Sequence, residues 1–183
     1  CIECTVGYYC GEGAAVALPC PGGTHKNASL LVMSSIAQCV SCPAGPSCSV
    51  GSPSAVPCAP GTFSPNASAE TCTSCDAGTF QDEAGSTFCK QCTGGNYCGV
   101  GAAAELPCPA GSFSNTAGLQ DASECSPCPV GSACSTGSTD HVLCAPGTFS
   151  SNASAPTCTS CVAGTFQEAQ GSTLCIECTL GYY

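Results

Sequence analysis

The apolar position that recurs most regularly along this chain is a ring two residues after a glycine. Tyr9, Phe63, Phe80, Tyr97, Phe113, Phe149, Phe166 and Tyr183 stand there. His25 takes the place once, and Ser47 and Ala133 replace the ring at matching points. Each of these glycines closes a Cys-x-x-Gly. The motif starts at Cys4, Cys20, Cys42, Cys58, Cys75, Cys92, Cys108, Cys128, Cys144, Cys161 and Cys178. The pattern predicts a glycine-containing turn that sends the chain back, followed by a short extended piece. The ring is then expected to cover a disulfide and act as the module's miniature core, since so small a module can bury little else. Gly (22 residues) and Pro (14) are spread throughout, which disfavours long helices and broad sheets.

Spacing separates two module types. Short ones read Cys-x5-Cys, at Cys4/Cys10, Cys42/Cys48, Cys92/Cys98 and Cys128/Cys134. Long ones read Cys-x13-Cys or longer, at Cys20/Cys39, Cys58/Cys72, Cys75/Cys89, Cys108/Cys125, Cys144/Cys158 and Cys161/Cys175. The order short, long, short, long, long then repeats. The preferred pairing closes each module on itself as just given, and leaves Cys1 and Cys178 over. Their partners are expected beyond this stretch of sequence. A sequential pairing (Cys1 with Cys4, Cys10 with Cys20, Cys39 with Cys42) leaves nothing over. It makes every Cys-x-x-Cys a tight ring, a form more typical of labile redox sites. An interleaved pattern, such as Cys39–Cys48 with Cys42–Cys58, is the third option, and spacing does not decide among them.

The modules build a longer repeat. Cys1 to Tyr9 returns as Cys175 to Tyr183, and Cys58 to Tyr97 returns as Cys144 to Tyr183 with most positions identical. The expected units are residues 1–88, 89–174 and the start of a third at 175–183. The stretch begins and ends in mid-pattern, as a window on a longer array would.

Composition sharpens this picture. Of 183 residues 22 are Cys, and charged residues make up only 8%. Leu, Ile, Val and Phe are too few for one large core, so a chain of this kind holds together through its disulfides. Such a density of bonds persists in an oxidising compartment, which points to an extracellular, cell-surface or secreted protein. The net charge is −10, with Lys26 and Lys90 the only strong cations. Nucleic acid and anionic lipid are thereby disfavoured as partners. The most apolar stretch, Ala28 to Met33, is far too short for a membrane span.

With these residues in view, the chain resembles the ephrin-receptor-like and tumour-necrosis-factor-receptor-like cysteine-rich repeats. The carrying motifs are Cys58-Ala-Pro-Gly-Thr-Phe63 closing at Cys72, then Cys75-Asp-Ala-Gly-Thr-Phe80 closing at Cys89. The resemblance implies a small disulfide-rich fold: an elongated, solenoid-like rod of short β-hairpin modules, with little helix and no large hydrophobic core. It also implies one internal disulfide in the simplest module. Such repeats occur in receptor ectodomains, in matrix proteins and in long arrays on protist and algal surfaces. The chain lacks the interleaved-disulfide module of the tumour-necrosis-factor receptors and the charged, aromatic surface they present to ligands.

Among candidate sites, Asn27-Ala-Ser29, Asn66-Ala-Ser68 and Asn152-Ala-Ser154 are N-glycosylation sequons. All lie seven or eight residues after the first Cys of a long module and are expected at one loop position. Asn115-Thr-Ala117 sits at the same place and breaks the motif. Cys72, Cys75, Cys89 and Cys92 approach zinc-ribbon spacing, but the surrounding cysteines and the sequons argue for disulfides. Glu3, Asp76, Asp82, Glu83, Glu168 and Glu177 lie near module joints without the alternating acids of a calcium loop, and read as solvated. No metal or other cofactor is expected apart from N-linked glycans. His25 and His141 suggest no nucleophile and base, so no enzyme is expected. The expected role is a structural extracellular glycoprotein, a segment of a surface filament or matrix fibre such as a flagellar hair. Its partners would be other copies of itself or fibre proteins. The alternative is a receptor or adhesion ectodomain, with the apolar loop Leu30 to Ile36 as the first place to look for a ligand.

Overall fold

The computed structural model describes residues 4–179. Cys1, Glu3 and Tyr183 lie outside the described residues. The described residues form two-residue strands paired into ten two-stranded sheets. In a typical module Thr62–Phe63 pairs antiparallel with Thr73–Ser74, matching Thr62 to Ser74 and Phe63 to Thr73. Thr148–Phe149 and Thr159–Ser160 repeat that register. Each first strand directly follows a Cys-x-x-Gly turn, and each second strand is the residue pair directly before the next module's first cysteine, which in the long modules is the x-x of a Cys-x-x-Cys. Among the described residues helix is confined to two 3-10 turns, Ile36–Gln38 and Ala122–Glu124. At the second, Ser123 N–H donates to Asp121 Oδ1 (2.8 Å) and Gln120 N–H donates to Glu124 Oε2 (2.9 Å). The fold is thus a small disulfide-rich series of β-hairpins.

By its contacts the chain divides into two compact units. One comprises Cys1–Lys90 and Val100–Ala104, the other Gln91–Gly99 and Glu105–Tyr183. Inside each unit the modules join by one repeated set of backbone hydrogen bonds. The modules at Cys42, Cys58 and Cys75 show it. Gly45 N–H donates to the Ser64 carbonyl (2.9 Å) and Gly61 N–H to the Gln81 carbonyl (2.7 Å). The residue after the ring then donates to the next loop, as Ser64 N–H does to the Ser86 carbonyl (3.0 Å). In return, that loop donates to the first cysteine behind it: Ser68 N–H to the Cys42 carbonyl (2.7 Å) and Gly85 N–H to the Cys58 carbonyl (2.8 Å). Each hairpin therefore finds in its neighbour the partners that a lone two-residue ribbon lacks.

Cysteine dominates the core, and the Tyr97 ring packs against the Cys108–Cys125 bridge and Leu119. Cys20, Cys42, Cys58, Cys75, Cys92, Cys108, Cys128 and Cys144 are fully buried. The rings of Tyr9, Phe63, Phe80, Tyr97, Phe113 and Phe149 are only half-buried, and Phe166 is exposed. Met33 and Leu119 are the two large aliphatic residues in the buried set. Each comes from an expanded long loop and seals a short module. Cys10 N–H donates to the Met33 carbonyl (2.9 Å) and Cys98 N–H to the Leu119 carbonyl (2.9 Å).

Candidate functional surface

Among the described residues there are ten disulfides, and each closes one module. Cys4–Cys10, Cys42–Cys48, Cys92–Cys98 and Cys128–Cys134 span short modules. Cys20–Cys39, Cys58–Cys72, Cys75–Cys89, Cys108–Cys125, Cys144–Cys158 and Cys161–Cys175 span long ones. Paired Cα atoms stand 5.6 Å apart in Cys58–Cys72 and 6.1 Å in Cys92–Cys98, the ordinary span of a disulfide. Cys178 carries no bond among the described residues. Cys72, Cys75, Cys89 and Cys92, which approach zinc spacing, belong to three different bridges.

The three sequons do not share one loop position. Asn66 and Asn152 are exposed, two residues before Ser68 and Ser154, whose backbones are left-handed (φ 61° and 60°). Those two serines hold equivalent places in the module ladder: Ser68 N–H reaches the Cys42 carbonyl, and Ser154 N–H the Cys128 carbonyl (2.8 Å). Ser64 and Ser150 hydroxyls donate to the Asn66 and Asn152 carbonyls (3.2 and 3.0 Å). Asn27 lies one residue earlier in its module and is half-buried. Its Oδ1 accepts the Ser29 N–H (3.0 Å) in a local turn. The count from the first cysteine carries the same offset, seven positions to Asn27 against eight to Asn66 and Asn152.

Charge is sparse and exposed. Lys90 Nζ donates to Asp82 Oδ1 (2.6 Å), lies 3.8 Å from Glu83 Oε1, and sits 6.0 Å from the centre of the Phe80 ring. The hydrogen bond from Lys90 holds the Asp82 carboxyl below the usual carboxylate range, helped by Asp82's own backbone. The same bond raises Lys90. Asp121 is lowered by the Ser123 backbone N–H, then by the Ser123 side chain. His25 Nδ1 lies 2.8 Å from the Lys26 carbonyl oxygen. His141 Nδ1 lies 3.0 Å from Asp140 Oδ1, with its ring 5.5 Å from Phe113. Among the described residues no group of three or more His, Cys, Asp or Glu is arranged to hold a metal ion.

Gln81 is a structural residue that sequence reading missed. It is 1% exposed. Its Nε2 donates to the Phe88 carbonyl (2.7 Å), and its Oε1 accepts the Glu83 N–H (2.9 Å). Gln167 repeats both contacts with Leu174 and Ala169. The available signal was a Gln directly after Thr-Phe at the same place in both copies. The apolar loop is also reapportioned: Leu31 is 97% and Val32 61% exposed, whereas Met33 is 1% exposed. Gly101 and Ala102, in a run of small residues, are bonded parts of the first unit's ladder. Gly101 N–H donates to the Cys75 carbonyl (2.8 Å), and Gln81 N–H donates to the Ala102 carbonyl (3.1 Å).

Residues 61–105 and 147–183 match the family described as tyrosine-protein kinase ephrin type A/B receptor-like. These two segments are ephrin-receptor-like cysteine-rich repeats, and the matched stretches begin at the equivalent glycines Gly61 and Gly147. No curated protein matches the chain. The disulfides make the chain a cysteine-rich repeat array of the kind found in extracellular domains, and no helix among the described residues is long and apolar enough to cross a membrane.

Proposed function

We propose that this chain is a structural segment of an extracellular filament or matrix fibre. The observation that carries the reading is the module ladder. Within each unit, successive modules are joined by the same backbone hydrogen bonds and each is closed by its own disulfide. Tension along such a chain falls on covalent bonds inside modules and on several parallel hydrogen bonds between them. Length and repetition are then the useful properties. The partners in this reading are further copies of the chain or other fibre proteins, because a repeated surface makes the same lateral contact many times.

A receptor or adhesion ectodomain is the second reading, favoured by the exposed Leu31 and Val32 in the loop that departs most between the two copies. Electron microscopy of the native, non-reduced material separates the two. Ordered filaments with an axial repeat matching one or two long units support the fibre. Dispersed single molecules would refute it and make the ectodomain the leading reading. Replacing Leu31 and Val32 with Ser then tests the loop, and unchanged binding removes it as a docking site.

A further inference from the structure

The left-handed slot in each loop has a strong residue preference that two modules break. The loop residue whose N–H donates to the first-cysteine carbonyl behind it is Gly51, Gly85, Gly101, Gly118, Gly137 or Gly171 in six modules. All six have positive φ, from 70° at Gly101 to 78° at Gly118. Glycine suits this conformation because it has no Cβ to strike the neighbouring carbonyl. Ser68 and Ser154 occupy the same slot, and among the described residues they alone are non-glycine residues at positive φ. They are also the third residues of Asn-Ala-Ser. In the six glycine loops the residue two places earlier is Ser49, Glu83, Gly99, Thr116, Ser135 or Ala169, and never Asn. Serine replaces glycine only where Asn stands two residues before it.

We propose that Asn66 and Asn152 are paired N-glycan sites, and that Ser68 and Ser154 hold a strained backbone because the acceptor motif requires their hydroxyls. Strain at an otherwise glycine slot persists where function demands the side chain. Packing gives no competing reason, since both serines are exposed and neither hydroxyl has a hydrogen-bond partner among the described residues. Both asparagines are exposed and leave their amide groups unbonded, and an open polar recess lined by Asn152, Ser154, Pro156 and Thr159 lies beside the second. In the transfer, the Asn Nδ2 loses a proton and bonds to the anomeric carbon of an oligosaccharide. The bond from that carbon to the phosphate of a lipid pyrophosphate donor breaks, and the lipid pyrophosphate leaves. Asn27 stands outside this register: it is half-buried, its Oδ1 is engaged, and Ser29 does not occupy the left-handed slot. The proposal rests on the extracellular reading of the chain, since the donor acts in the secretory pathway.

The test secretes the chain from a eukaryotic host and scores disulfides and glycans in one sample. Peptide N-glycosidase in heavy-oxygen water marks each formerly glycosylated Asn for mass spectrometry. Asn66 and Asn152 should be marked in most molecules and Asn27 in a minority. Ser68→Gly should abolish marking at Asn66 and leave Asn152 unchanged. After enzymatic deglycosylation, that variant should unfold at higher denaturant than the parent. Bare Asn66 and Asn152 on a chain with its disulfides formed would overturn this proposal and leave the extracellular reading intact. A deglycosylated Ser68→Gly chain less stable than the parent would also overturn it, by showing that Ser68 is there for packing. Cysteines that stay reduced would count against the extracellular reading and this proposal together.

Discussion

Single residues in this protein matter most where two modules approach. Gly61 has φ 82°, and a Cβ built on it would strike the Gly101 carbonyl oxygen and carbon, both backbone atoms. Gly45 meets the Gly85 carbonyl in the same way. Gly61→Ala therefore combines left-handed strain with a collision that no rotamer relieves, and should cost about 2 kcal/mol or more. Chemical denaturation of the disulfide-intact protein measures this, and a loss below a few tenths would show that the approach is looser. Charge acts more weakly. Asp82 is lowered from 3.8 by its hydrogen bond with Lys90, so its contribution to stability is present above that value. It is lost as pH falls through the lower folded value. Lys90 is raised from 10.5, so its share is present below that value and lost as pH rises through the higher one. Between these limits the pair should leave stability flat with pH. Lys90→Met should raise the Asp82 titration, followed by NMR, toward the ordinary range, leaving the part owed to its own backbone. Both groups are exposed, so salt should weaken the pair.

At the scale of an element, the hairpins are too short to stand alone, and buried polar side chains brace their loops. Gln81 holds the loop between Phe80 and Cys89 from inside, and Gln167 does the same in the other copy. Gln81→Ala leaves the Phe88 carbonyl and Glu83 N–H without these partners and should destabilise by about 1–3 kcal/mol. Gln167→Ala should cost less, because Gln167 is less buried than Gln81. Equal losses on denaturation would show that burial does not set the cost. The turn and the short strand after it were legible because Cys-x-x-Gly-x-aromatic recurs with a ring or its substitute two residues past the glycine. The inward-facing Gln was not legible. A polar residue in a loop ordinarily reads as solvated, and its burial depends on the next module stacking over it.

At the scale of the molecule, the buried set is dominated by cysteine, with Met33 and Leu119 the large aliphatic exceptions. Cross-linking must then do what apolar burial does elsewhere. Removing the Cys58–Cys72 bridge, which spans 14 positions, should cost about 3 kcal/mol in the chain-entropy account. Full reduction should dismantle the fold. The oxidised protein should resist limited proteolysis, and after reduction and alkylation it should be cleaved throughout. Persistent resistance would mean that the backbone ladder is sufficient without the bridges. Since charge is sparse, this resistance should depend little on ionic strength.

Sequence by itself determined the class of fold. Cysteine density, scattered Gly and Pro, and a shortage of aliphatic residues exclude any large core, and the recurring motif sets a short hairpin at each repeat. It left three cysteine pairings open, because spacing reports distance along the chain and not which side of a turn a thiol faces. Tertiary structure holds the within-module set, since each turn brings its own two cysteines to bonding distance. Tertiary structure also decided that many cysteines are fully buried where most rings are half-buried, that Met33 is buried while Leu31 is exposed, and that Ser68 and Ser154 take a left-handed backbone that Ser29 does not. These outcomes follow from the stacking of each module on the next. The partner atoms lie a full module or more away along the chain, where no local pattern can report them.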